Sequence, residues 1–156
     1  MTAETSPSPP RVLSLLSAAT EIVCRLGCAH LLVGRSHGCD DPPFVTSLPI
    51  ATAPKVDPNA TSSELDKQVR VQSANGGAIY QINNELVSRL QPTVIITQEQ
   101  RRICAVTPDD LTAACDMNEL DPLVKLVTIM PVTLEDVLGD IITIAQLVLR
   151  IVVFVW

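Results

Sequence analysis

The run Thr93-Val94-Ile95-Ile96-Thr97, set off by Pro92, limits the fold more than any other stretch of the chain. Every residue in it is β-branched, and no charge interrupts it. Such side chains favour extended backbone, and a strand without apolar–polar alternation is one buried on both faces. Strands of that kind belong to parallel sheets, which need a crossover, usually a helix, between one strand and the next. The rest of the chain must therefore supply helices and further strands in alternation.

The pattern meets that demand. Arg11 to Leu16 (RVLSLL) reads as a first strand, and Ser17 stands where it would cap a helix over Ala18 to Leu26 that Gly27 stops. Ile22, Val23 and Leu26 share one face of that helix. Leu31 to Ser36 is a second strand. From Asp41 to Thr61 the chain carries Pro42, Pro43, Pro49, Pro54 and Pro58, which argues against regular helix and for an extended excursion over the surface. Ser62 or Ser63 then caps a helix to about Ala74, with Leu65 and Val69 inward, closed by Asn75-Gly76-Gly77. Ala78 to Ile82 is a weak strand, and Asn83 caps a helix from Asn84 to Leu90. After Thr93 to Thr97 come a polar loop, Gln98 to Val106, and a helix start at Thr107-Pro108-Asp109-Asp110. Leu123 to Ile129 is another strand, and Thr133 with Asp136 resembles a capping box for the last helix. The expected architecture is α/β and Rossmann-like: a mainly parallel sheet with flanking helices.

Three sections are expected within 156 residues, a length that suits one domain. Residues 1–10, MTAETSPSPP, form a disordered lead-in lacking the basic region and apolar core of a secretory signal. Residues 11–132 form the α/β lobe, and residues 133–156 a helix and an apolar tail. From Ile141 to Trp156 only Thr143, Gln146 and Arg150 are not apolar. The tail is short for a bilayer core of about 30 Å, and Arg150 would be costly inside it. A cut-off or altered end is therefore the expectation in preference to a membrane anchor.

Composition excludes several functions. A formal net charge of −6 provides no basic field to displace counterions from phosphates, and four aromatic residues leave little for base stacking, so nucleic acid is not the expected partner. Five irregularly spaced cysteines do not make a secreted disulfide framework and favour a reducing compartment. No G-x-G-x-x-G or Walker pattern is present.

Chemistry concentrates directly after the second strand, in Arg35-Ser36-His37-Gly38-Cys39-Asp40-Asp41. A buried strand that empties into a polar loop presents ligand groups at the carboxyl edge of a sheet. His37 offers an imidazole to a metal, or hydrogen-bonds the loop backbone and shapes it. A zinc site from His37, Cys39 and Cys104 is a rival, although His37-x-Cys39 is an unusually tight spacing. A cysteine nucleophile would need an activating arrangement that nothing in the sequence marks. Arg35 contacts an acidic ligand group or pairs with Asp40 or Asp41. Cys24 and Cys28, one turn apart on the first helix, read as small core hydrophobes in preference to a redox pair.

Taken in order, RVLSLLSAATEIVCRLG, LVGRSHGCDDPP, LQPTVIITQEQ, CAV and TLEDVLGDI resemble the cobalamin-binding branch of the ferric-siderophore and vitamin B12 periplasmic substrate-binding proteins. The likeness runs from about Arg11 to Ile144. It implies the first lobe of a two-lobe protein, with a truncated connecting helix, and a ligand held at the lobe's rim for an ABC transporter. It implies no enzyme. The implied ligand is cobalamin or a related corrinoid, or a siderophore-like molecule, and a second lobe, a second copy or a transporter is the implied partner. Carried over by position, Ser17, Ser36, His37, Cys39, Tyr80 and Gln98 face the ligand, Tyr80 as an aromatic ring. His37 is a candidate cobalt ligand, and Glu85 corresponds to a glutamate that docks the transporter. Relatives carry an acidic residue where Gly38 stands, a cysteine at Arg101 and, in vitamin B12 binders, a tryptophan at Gln98. The alternative expectation is a non-binding remnant or an interaction protein with an apolar tail. A metal- or cysteine-dependent enzyme comes third.

Overall fold

A computed structural model describes residues 8–74, 79–98 and 124–152. Four parallel strands form the main sheet: β1 (Val12–Ser14), β2 (Leu32–Arg35), β5 (Val94–Gln98) and β6 (Lys125–Ile129), in spatial order β2-β1-β5-β6. The β-branched run does lie inside the sheet, flanked by β1 and β6. Its residues divide between two cores by simple alternation. Val94 and Ile96 join Val12, Val23, Ile144 and Val148 on one side, where α1 (Ser17–Arg25) and α4 (Leu134–Val152) pack. Ile95 joins Leu13, Leu86 and Val87 on the other side, under α3 (Asn84–Leu90). The α/β, mainly parallel architecture read from the pattern is therefore the observed one.

Two short strands do not belong to that sheet. β3 (Thr52–Pro54) and β4 (Tyr80–Ile82) pair antiparallel in a ribbon of their own. The proline-rich excursion thus holds a strand, and also a 3-10 turn over Pro43–Ser47, where an extended course was expected. Proline is tolerated in both settings, at the start of a helical turn and on a strand edge. The strand near Ala78 to Ile82 exists, but pairs with β3 and not within the parallel sheet.

Local corrections have equally physical causes. Helix α1 begins without a side-chain cap: Leu16 occupies the cap position, and the Ser17 hydroxyl donates instead to the Gly38 carbonyl at 2.5 Å. Helix α2 (Ser62–Ala74) is capped by Thr61, whose backbone N–H and hydroxyl both bond Glu64, and not by Ser62 or Ser63. It buries no residue fully, Leu65 and Val69 being half-buried. Asn83 caps α3 as expected, its Oδ1 accepting the Leu86 N–H at 3.0 Å. The Thr133–Asp136 capping box also forms. Cys28 lies in the turn after α1, which ends at Arg25, so the two cysteines do not share a helix. Burial raises the pKa of both thiols, most directly for Cys28, which suits packing and not reactivity. The lead-in 1–7, the Asn75–Gly77 closure, the loop and helix start from Glu99 to Asp110, and Val153 to Trp156 lie outside the described residues.

Candidate functional site

The site starts from the end of β2. There Arg35 donates its N–H to Pro49 O (2.9 Å) and accepts from Ala51 N–H (2.8 Å), which continues the sheet sideways toward the β3–β4 ribbon. That pairing brings Thr52 beside the Ser36–His37 step. The Arg35 side chain, 6% exposed, turns back under the loop and donates to the carbonyls of Ser36 (3.2 Å), Cys39 (2.8 Å) and Thr46 (3.1 Å). It pairs with neither Asp40 nor Asp41, the partners expected of it. A guanidinium spreading its donors over three carbonyls fixes the loop's shape, and its planar fork is suited to that task.

Gly38 is held from two further directions, by Ser17 at its carbonyl and by Ser36 Oγ, which accepts the Gly38 N–H at 3.3 Å. Cys39 is fully buried, with Sγ 3.9 Å from the Ser14 carbonyl, so its thiol packs beneath the loop and faces no ligand. Ser36 is buried as well, its hydroxyl engaged by Thr52 at 3.2 Å. Of the three loop residues expected to face a ligand, Ser36, His37 and Cys39, His37 is the one whose side chain reaches the surface in part. Its ring meets Tyr80 of β4, centroids 5.0 Å apart and planes tilted by 45°, a favourable aromatic arrangement. Thr52 Oγ1 receives the His37 backbone N–H (3.0 Å) and lies 2.8 Å from Nδ1. Burial, and then the Arg35 charge, hold the His37 pKa below its ordinary 6.5, so the imidazole is neutral at pH 7.

Parallel strands bring all their carboxyl ends to one edge, so Gln98, the last residue of β5, shares the rim with the loop after β2. With β1 between them, β2 and β5 stand about 10 Å apart, twice the usual strand spacing. Gln98 makes no described contact with His37. Glu85 is exposed in the first turn of α3. Arg11 donates to the Leu90 and Gln91 carbonyls and pins the other end of α3 at the amino edge, leaving Glu85 directed toward the carboxyl edge. Hydrogen bonds and ring contact thus tie Ser17, Ser36, His37, Cys39 and Tyr80 into one cluster, in which Gln98 and Glu85 make no described contact.

The parts played by two residues are not evident in the sequence. Thr52 lies in a proline-rich segment without periodicity, and Arg35 was seen as a charge seeking a charge. A cavity of about 260 Å³ also opens along the ribbon, lined by Ile50, Thr52, Ala53, Gln81, Ile82 and Asn83. It is smaller than a typical pocket for a drug-sized ligand, so a larger molecule would lie across the rim. No group of three or more His, Cys, Asp or Glu with metal-site geometry occurs among the described residues, and Cys104 lies outside them.

An open, parallel α/β sheet presents its ligand-binding loops outside the carboxyl ends of its strands, and the polar cluster lies there. Among solved structures the chain resembles the periplasmic heme-binding protein HutB of Vibrio cholerae, with TM-score 0.58 and 20% identity over 90% of this chain. The periplasmic vitamin B12 binding protein BtuF of Vibrio cholerae matches with TM-score 0.58 and 21% identity over 90% of this chain. A possible iron-binding, periplasmic solute-binding protein from Staphylococcus epidermidis matches with TM-score 0.57 and 21% identity over 92% of this chain. The chain spans 42%, 42% and 44% of their respective lengths. It therefore has the fold of one lobe of such proteins. No protein-family model matches the chain, and no curated protein does.

Proposed function

We propose that this chain is a binding lobe for a metal-bearing tetrapyrrole, a corrinoid in the first instance, and performs no catalysis. The observation that supports this best is the His37–Tyr80 pair at the rim: a neutral imidazole backed by an aromatic ring. A flat macrocycle around a metal needs apolar contact over its face and an electron pair along its axis. Tyr80 supplies the first, and imidazole nitrogen is a good axial donor to cobalt or iron. The heme- and vitamin B12-binding neighbours lend equal support to either metal. A single rim buries only part of such a ligand, so affinity depends on a second lobe, a second copy or a transporter closing over it, with Glu85 as the docking contact.

Titration with hydroxocobalamin and, separately, hemin tests the reading by visible absorption. Wild type should shift the band of at least one of them, and His37→Ala should abolish that shift. An unaltered shift in His37→Ala, or none in wild type, defeats it. The second reading, an interaction protein without a small ligand, is favoured by the apolar stripe Leu134, Leu138, Ile142 and Leu149, which α4 leaves exposed. Self-association in sedimentation, with neither macrocycle bound, would select it.

A further inference from the structure

His37 can donate an electron pair from Nε2 only if its proton sits on Nδ1, so the partner of Nδ1 decides what the imidazole can do. That partner is Thr52, 3% exposed and 2.8 Å away. A threonine hydroxyl has one proton to give and two lone pairs to offer. One lone pair takes the His37 backbone N–H at 3.0 Å. The proton is directed at Ser36 Oγ, 3.2 Å away. With that proton given to Ser36, the second lone pair is left for the 2.8 Å contact, and this arrangement puts a proton on Nδ1.

The opposite nitrogen has no hydrogen-bond partner among the described residues. It is not sequestered either: the buried, unpartnered side-chain nitrogen and oxygen atoms among them are Arg35 Nε and Asp140 Oδ2. From the Thr52–His37–Ser36 geometry we propose that Thr52 is a positioning residue, which fixes His37 as the Nδ1–H tautomer and so turns the Nε2 lone pair outward for a metal-bearing ligand. The proposal rests on the tetrapyrrole reading for its ligand, and on the hydrogen bonds alone for its tautomer. Thr52 touches no ligand itself. It acts from β3, an element that meets the histidine only because Ala51 pairs with Arg35.

Nitrogen-15 NMR of the ligand-free chain at pH 8 reads the tautomer directly. A protonated Nδ1 and bare Nε2 on His37 are expected; the reverse assignment overturns the proposal. In hemin titrations followed by absorption, Thr52→Val keeps the shape but removes the acceptor, and should weaken binding about 10–100-fold, the usual cost of losing a residue that orients a ligating histidine. Thr52→Ser should bind like wild type. Wild-type binding by Thr52→Val, or binding by Thr52→Ser as weak as by Thr52→Val, overturns the proposal. If His37→Ala binds hemin unchanged, the tetrapyrrole reading fails, whereas the NMR assignment still decides the tautomer.

Discussion

At the scale of single residues the loop after β2 is ordered by side chains bonded to backbone. Arg35 reaches three carbonyls, Ser17 a fourth, and Ser36 a backbone N–H. His37 is then carried on a scaffold that leaves it little freedom. Its lowered pKa has a measurable consequence for stability. The unfolded chain takes up the proton near pH 6.5, while burial and the Arg35 charge delay uptake in the folded chain to lower pH. Between those two values the unfolded state holds more protons, so stability rises with pH. The contribution is complete above about pH 6.5 and is lost as pH falls through the folded value. Urea midpoints at pH 7.5 and 5.5 should show wild type weaker at the lower pH, and His37→Gln should reduce the difference. Glu64 and Asp136, held below their ordinary values of 4.5 and 3.8 by capping bonds, lose their contributions at more acid pH and do not blur the window.

At the scale of elements the strands are placed by close approach as much as by propensity. Gly34 in β2 leaves no room for a side chain: a Cβ there would stand 2.7 Å from Leu90 Cδ1, 3.0 Å from Leu13 Cδ1 and 3.4 Å from Pro49 O. That space is where α3, β1 and the segment leading to β3 converge on β2. Gly34→Ala should therefore destabilise the chain by about 1–3 kcal/mol through overpacking, read by urea unfolding. The crowding falls on the side-chain ends of Leu90 and Leu13, whereas the Pro49 carbonyl stands at an ordinary contact distance. Capping was legible for α3 and α4, where Asn83 and Thr133 stand immediately before a helix and bond into it. It was illegible for α1. Ser17 has the right chemistry at the right boundary, but the loop lies close enough for its hydroxyl to bond Gly38 instead.

At the scale of the whole molecule α4 raises the main question, because its apolar residues cover more than one face. Ile144 and Val148 are fully buried against α1 and the sheet, whereas Leu138 is 53% and Ile142 57% exposed. Ile144→Ala should cost about 2–5 kcal/mol by denaturant unfolding. Ile142→Ala should lie within about 0.5 kcal/mol of wild type. Equal costs would mean that the outer stripe is also covered. None of the described helices is long and apolar enough to cross a membrane.

Some of this follows from the residues taken in order. Unbroken β-branched runs demand burial on both faces, glycine and asparagine punctuate helices, and strands alternating with helices imply a parallel α/β lobe whose loops crowd one edge. These are local effects, and a linear string records them. The binding rim is not local. Thr52 meets His37 across 15 positions of chain, and Tyr80 meets its ring at a tilt from a strand outside the main sheet. Arg35 finds carbonyls where charge alone suggested aspartates, since a loop folded back over a guanidinium offers it nearer acceptors than the solvated carboxylates beside it. Which groups lie within hydrogen-bond reach is decided when sheet and ribbon close together, and only the folded chain records that.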